Sequence, residues 1–177
     1  LSYSKYGPRL HAQVCYLKFS LGLTLGKISK TLEDQYGLTI STGELSELLT
    51  RSTKKFDGAY EDLALSLLDQ KYLHVDETGW RRDGDNYWLW SFSNKDLSYY
   101  VIDKSRSQKV IENILGQTYG GVLLSDFYSG YNQIDCKKQK CWVHLLREIR
   151  KLKDRYPKDL EIYRWGKRIK AFYNRAI

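Results

Sequence analysis

Asp76 and Asp126 are the residues of this chain best suited to metal chemistry. Asp76 closes the run Leu73-His74-Val75 and leads into Glu77-Thr78-Gly79-Trp80. Asp126 closes Val122-Leu123-Leu124-Ser125 and leads into Phe127-Tyr128-Ser129-Gly130-Tyr131. Both runs read as short buried strands. A carboxylate at the carboxyl end of a buried strand is costly unless it meets a cation or a donor. Two such positions in one domain suggest a shared divalent-metal site. Mg²⁺ takes oxygen ligands and keeps several waters, so one or two carboxylates plus phosphate suffice. A pair of such ions can activate a water or a 3′-hydroxyl and stabilise a leaving oxygen. The competing reading is two ordinary strand-end turn residues, and spacing alone favours it.

Other polar residues gather around these two in sequence. Glu77 adjoins Asp76, but consecutive strand residues face opposite ways. It therefore reads as a supporting carboxylate or an ion-pair partner. His74 lies two residues before Asp76, on the same face. It reads as a hydrogen-bond partner behind Asp76 or as a satisfied core histidine, rather than as a metal ligand. Cys141 and His144 form a C-x-x-H pair, half of a zinc site with no second pair to complete it. Lys104 and Arg106 stand in Asp103-Lys104-Ser105-Arg106-Ser107, where Ser107 opens a helix. A helix start favours anions, so Arg106 is the leading candidate for a phosphate contact, with Lys104 beside it. Arg81 and Arg82 read either as phosphate contacts or as solvated loop charges.

The elements that must position these residues follow from pattern. Pro8 suits a helix start, with Leu10, Val14, Leu17 and Leu21 at helical spacing. Thr24 caps a second helix that runs to about Tyr36 and ends at Gly37. Ser41 and Glu44 form a capping box for a third helix bearing Leu45, Leu48 and Leu49. Three short helices with a tight turn before the third resemble a helix-turn-helix unit. The third helix reads equally as a DNA reader or as part of a helical bundle, because Glu44 and Glu47 repel phosphate while Arg51, Lys54 and Lys55 attract it. Phe56, Tyr60, Leu63 and Leu67 continue as a connecting helix.

From Lys71 the period changes from 3.6 to 2. Strands are predicted over 72–76, 87–93 and 98–102, with Asp83-Gly84 as a hairpin turn. Ser107 to Gly116 reads as a helix, 121–125 as a nearly continuous apolar parallel strand, and 140–143 as a short fifth strand. Helices follow over about 145–153 and 160–176. This order, three antiparallel strands and then parallel strands reached by a crossover helix, is that of a ribonuclease-H-like α/β mixed sheet. In it the first and fourth strands are neighbours. The predicted organisation is a helical region over 1–70, an incomplete ribonuclease-H-like core over 71–144 and the start of a basic helical insertion over 145–177.

Charge divides the same way. The chain of 177 residues has a net charge of +8. Residues 76–135 carry six basic and nine acidic side chains, whereas residues 136–177 carry fourteen basic and four acidic ones. An acidic site beside a cationic tail suits an enzyme that gathers metal ions and a polyanion. The plainer reading of the tail is a solvated helical face. Arg147, Arg150 and Lys151 are its leading candidates for non-specific phosphate contact. Cys15, Cys136 and Cys141 form an odd set that reads as reduced thiols in an intracellular protein. No apolar run approaches a membrane span and no signal-peptide pattern opens the chain. The chain starts at Leu1 and holds no Met, as expected of a piece of a longer protein.

Several motifs taken in order carry a resemblance. Asp76-Glu77-Thr78-Gly79-Trp80, Tyr87-Trp88-Leu89-Trp90, Asp103-Lys104-Ser105-Arg106, Ser125-Asp126-Phe127-Tyr128-Ser129-Gly130-Tyr131 and Cys141-Trp142-Val143-His144-Leu145-Leu146-Arg147 resemble the DDE transposases of insertion-sequence family 66. Tyr6-Gly7-Pro8 and the Leu-rich segment to Leu49 extend the likeness over most of the chain. The resemblance implies metal-dependent strand cleavage and strand transfer in DNA transposition, with Asp76 and Asp126 as the first two catalytic and metal-binding acids and Mg²⁺ or Mn²⁺ as cofactor. It implies double-stranded DNA as partner, both transposon ends and target, a homo-oligomer on that DNA, and a bacterial cytoplasmic, nucleoid-associated location. It also gives Cys141 and His144 a structural role near Asp126. The third acid of the family, a glutamate, is expected after a helical insertion inside which this chain stops. Glu148 and Glu161 come too early for it. Phe127 departs from the small residue usual after the second aspartate. Two rivals remain open: a non-catalytic DNA-binding remnant, and a different nuclease on the same fold.

Overall fold

The computed structural model describes residues 5–176 and divides the chain into two compact units, one ending at Asp62 and the other beginning at Leu63. The break falls inside a helix.

The first unit is built on helices whose ends are set by local chemistry. α1 spans Pro8–Cys15 and widens into a π-helical turn over Tyr16–Ser20. That turn ends the expected stripe early: Val14 and Leu17 are buried, but Leu21 is exposed. α2 spans Leu25–Tyr36, and the Thr24 hydroxyl accepts from the Lys27 backbone N–H at 3.3 Å. Gly37 ends α2 with φ of 64°, a left-handed cap that glycine adopts without steric cost. α3 spans Thr42–Thr53 and carries the Ser41–Glu44 capping box in full. Val14, Ile28, Leu32, Leu45 and Leu48 close the core of this unit. α4 spans Asp57–Ser66. The apolar stripe read across it splits, since Phe56 and Tyr60 are exposed while Leu67, just past its end, is buried.

The second unit is a five-stranded mixed sheet with helices. Its strands are β1 (Tyr72–Arg82), β2 (Asp85–Ser93), β3 (Ser98–Asp103), β4 (Thr118–Ser125) and β5 (Asp135–Lys140), in the order β3-β2-β1-β4-β5. β1, β2 and β3 pair antiparallel. β4 pairs parallel with β1, and β5 parallel with β4. α5 (Gln108–Leu115) is the crossover, and α6 (Trp142–Arg155) and α7 (Leu160–Ala176) close the unit. Leu73, Val75, Trp90, Phe92, Ile111 and Leu123 lie at the centre of its core. No helix of the described residues is long and apolar enough to cross a membrane.

β2 and β4 begin two and three residues before their predicted starts and β3 ends one residue later, but β1 and β5 depart most. β1 does not stop at Asp76. It runs on to Arg82 as one arm of a hairpin with β2, turning at Asp83 and Gly84, whose φ angles are 52° and 90°. Positive φ at both turn residues matches the twist of the strands. The far part of this arm, Thr78 to Arg82, is exposed, so it lacks the apolar alternation that marks a strand. β5 lies at 135–140, not 140–143. It is an edge strand of sequence Asp-Cys-Lys-Lys-Gln-Lys, too polar to read as one. Cys141 caps α6, which begins at once at Trp142.

Candidate functional site

The pairing of β1 with β4 ends at His74 opposite Leu124. Asp76 and Asp126 each stand two residues further along. Strand alternation puts Asp76 on the same face of β1 as His74. Asp76 is therefore mid-strand in β1, but at the point where β1 parts from β4. The backbone N–H of Glu77 donates to Asp76 Oδ1 at 3.0 Å, and that of Tyr128 donates to Asp126 Oδ1 at 2.8 Å. Among the described residues no ion pair engages either carboxylate. Each keeps an oxygen outside these bonds. Two accessible carboxylates, one in β1 and one directly after the adjoining β4, form a donor set that fits a hard divalent cation. Among the described residues no three His, Cys, Asp or Glu side chains cluster as a metal-holding group. Glu148 pairs with Lys151 at 2.6 Å on the exposed side of α6, and Glu161 is exposed in the first turn of α7.

Glu77 points the other way, with Val75 and Leu73, and its side chain is only 1% exposed. Its Oε1 accepts from Arg106 Nε at 2.8 Å and lies in ion-pair contact with Nη2 at 2.7 Å, and its Oε2 accepts from the Tyr131 hydroxyl. The Arg106 guanidinium lies 4.6 Å from the Trp88 ring centre and 4.5 Å from that of Tyr128. The Tyr128 hydroxyl donates to the Arg106 carbonyl, and the Trp90 indole donates to the Ser105 carbonyl at 3.2 Å. Gly130 is required here, because a Cβ at that position would come within 2.4 Å of the Tyr128 ring. The bonds to Glu77 raise the Arg106 pKa, against the opposing effect of burial. Burial chiefly raises that of Tyr131, with Glu77 next and the charges of Asp126 and Asp76 adding to it. The buried hydroxyl thus stands in the field of all three carboxylates.

The remaining candidates scatter more widely. His74 is exposed, its ring edge-on to Tyr72 with centres 5.9 Å apart, so it is not a core histidine. The Cys141 backbone N–H donates to the Ser125 carbonyl at 2.7 Å, which seats the C-x-x-H segment against the residue before Asp126. His144 lies in the first turn of α6, and its Nδ1 is buried without a hydrogen-bond partner among the described residues. Lys104 is 70% exposed, with its ammonium 3.8 Å from the Asp85 carboxylate. Arg147, Arg150 and Lys151 are exposed on α6. Arg81 and Arg82 are not beside Asp76. They sit five and six residues along the hairpin arm, roughly 17–20 Å away at strand rise. Phe127 is 48% exposed, so it does not fill core space.

Lys140 escaped the sequence reading because it was absorbed into a misplaced strand. Its ammonium donates to the Asp126 carbonyl at 2.8 Å and lies 3.4 Å from Ser125 Oγ. Burial lowers its pKa, and the Asp126 charge opposes that shift. Tyr131 was also missed. Its signal was an aromatic hydroxyl five residues after the second aspartate, in a segment too polar to be core by composition.

Residues 3–176 fit the family model described as the transposase IS66 family. No curated protein matches the chain significantly.

Proposed function

The chain belongs to the IS66 family of transposases, and from that premise we propose that its second unit is a ribonuclease-H-like core for DNA strand cleavage and strand transfer, with Asp76 and Asp126 as catalytic acids. The observation that supports this reading is the parallel pairing of β1 with β4, whose ladder ends at His74 opposite Leu124, two residues short of Asp76 and of Asp126. The strand order β3-β2-β1-β4-β5 supports it.

Asp76 and Asp126 would hold Mg²⁺ or Mn²⁺ through the carboxylate oxygens left outside their backbone bonds. The chemistry such ions supply is activation of a water or 3′-hydroxyl and relief of charge on the leaving oxygen. The two backbone N–H groups orient the carboxylates. Lys140 places a cation at the Asp126 carbonyl and limits how much negative charge the site accumulates before DNA arrives. Arg147 and Arg150 are exposed and would meet phosphates of transposon ends or target, as would Lys104 and Lys151 by exchanging their surface ion pairs with Asp85 and Glu148, and a homo-oligomer would present them in more than one copy. The Cys141 backbone N–H holds the start of α6 against the β4 tip.

The test is cleavage and joining of DNA bearing the element's ends, with Mg²⁺ or Mn²⁺. Asp76→Asn and Asp126→Asn should each abolish both steps, while DNA binding survives or tightens because a negative charge has gone. Two carboxylates are fewer than most sites of this kind use, so turnover by this chain alone should be weak. Cleavage that persists in either variant would end the reading. Cleavage without joining would favour a nuclease instead.

A further inference from the structure

Beyond His74 and Leu124 no backbone ladder joins β1 to β4, so something else must set the spacing of the two strand tips. The side chains that span the gap are those of Glu77, Arg106, Tyr128 and Tyr131. Glu77 follows Asp76 directly. Tyr128 and Tyr131 follow Asp126 by two and five residues. The Tyr131 hydroxyl donates to Glu77, which ties the chain beyond one aspartate to the residue beside the other. Arg106 closes the link from the β3–α5 connection. Its guanidinium forks onto Glu77 and is packed between Trp88 and Tyr128, while its carbonyl takes the Tyr128 hydroxyl. Tyr128 in turn donates its backbone N–H to the Asp126 carboxylate.

We propose that Glu77, Arg106 and Tyr131 are positioning residues that fix the distance between Asp76 and Asp126, and with it the affinity of the pair for divalent ions. This rests on the reading of Asp76 and Asp126 as a metal pair. It moves Arg106 from the DNA-contacting set to the framework of the site. Two features single it out from an ordinary core ion pair. The hydrogen-bonding groups lie within five residues of an aspartate or in the β3–α5 connection. And the carboxylate is buried, so its fully paired state is held rigidly, since losing a partner would leave a charge without solvent.

Mn²⁺ binding to the full chain, followed by the electron paramagnetic resonance of free Mn²⁺, tests this without relying on turnover. Tyr131→Phe removes one hydroxyl and keeps the ring. Glu77→Gln keeps the shape and its acceptor for Arg106. Each should weaken Mn²⁺ binding roughly tenfold, the low end of what groups that orient metal ligands contribute, in protein whose tryptophan fluorescence melt shows it folded at the assay temperature. Asp76→Asn, as the control, should lose binding outright. Should either variant unfold, Arg106→Lys, which keeps the charge beside Glu77 but drops the fork, is read the same way. Wild-type affinity in the folded variants would overturn the positioning role and leave the aspartate pair standing. If wild-type protein binds no Mn²⁺, or Asp76→Asn binds it equally well, the metal reading itself falls and this inference falls with it.

Discussion

Glu44 in the first unit and Glu77 in the second each sit between a cation and a tyrosine. Glu44 accepts from Lys5 at 2.9 Å and from the Tyr6 hydroxyl at 3.3 Å. Glu77 accepts from Arg106 and from Tyr131. The chemical groups nearly match, yet the Glu44 side chain is 39% exposed and that of Glu77 is 1% exposed. Water stands ready to replace either partner of Glu44, whereas Glu77 has no substitute. Lysine offers a point charge, and arginine a planar fork that can bond and stack together. One constellation decorates a helix start; the other can transmit position, because a buried charge tolerates few arrangements.

The difference is open to measurement, because all five tryptophans (80, 88, 90, 142 and 165) lie in the second unit, so fluorescence reports on that unit alone. The largest effect should come from Arg106→Ala. It strands a buried carboxylate and should cost about 3–5 kcal/mol in the denaturant transition read by tryptophan. A loss under 1 kcal/mol would mean that solvent reaches Glu77 and that the two constellations are alike.

A smaller effect should appear in the first unit with pH. His11 Nδ1 lies 3.0 Å from Ser52 Oγ, and burial, then Lys55 and Arg51, holds its pKa below 6.5. The unfolded chain therefore binds a proton that the folded unit refuses. Stability should rise with pH from the lowered folded value up to about 6.5 and level off above it. His11→Gln should flatten that dependence in the helical circular dichroism. An unchanged slope would remove His11 as its source.

The smallest effect should be that of Lys5→Ala. Lys5 is 71% exposed, and its pairing with Glu44 should not shift the helical transition measurably, least of all at high salt. The Ser41 cap would continue to hold the start of α3. A clear loss would place Lys5 in the framework of its unit, as Arg106 is in the other.

What could be read from sequence tracks the range of the interactions. Thr24, Gly37 and the Ser41–Glu44 box were legible because a cap involves residues three or four apart. The hairpin turn at Asp83-Gly84 was legible for the same reason. The adjacency of β1 and β4 followed from the order of elements, a fold-level regularity. The outer arm of β1 and all of β5 were lost because solvent-facing edges carry no apolar alternation. At the site, strand alternation turned Glu77 away from Asp76 but could not name its partners. Arg106 is 29 residues away and Tyr131 is 54 away. No local rule reaches that far, and polar residues that meet across such gaps leave no periodic trace.

The edge strand β5 has one more consequence. Lys137, Lys138 and Lys140 line a stretch of six residues at the margin of the sheet. A second molecule approaching to extend the sheet there would bring its own lysines against them, and like charges at strand spacing oppose such an addition. The same charges that leave β5 without the pattern of a strand thus also guard the margin of the sheet against edge-to-edge pairing.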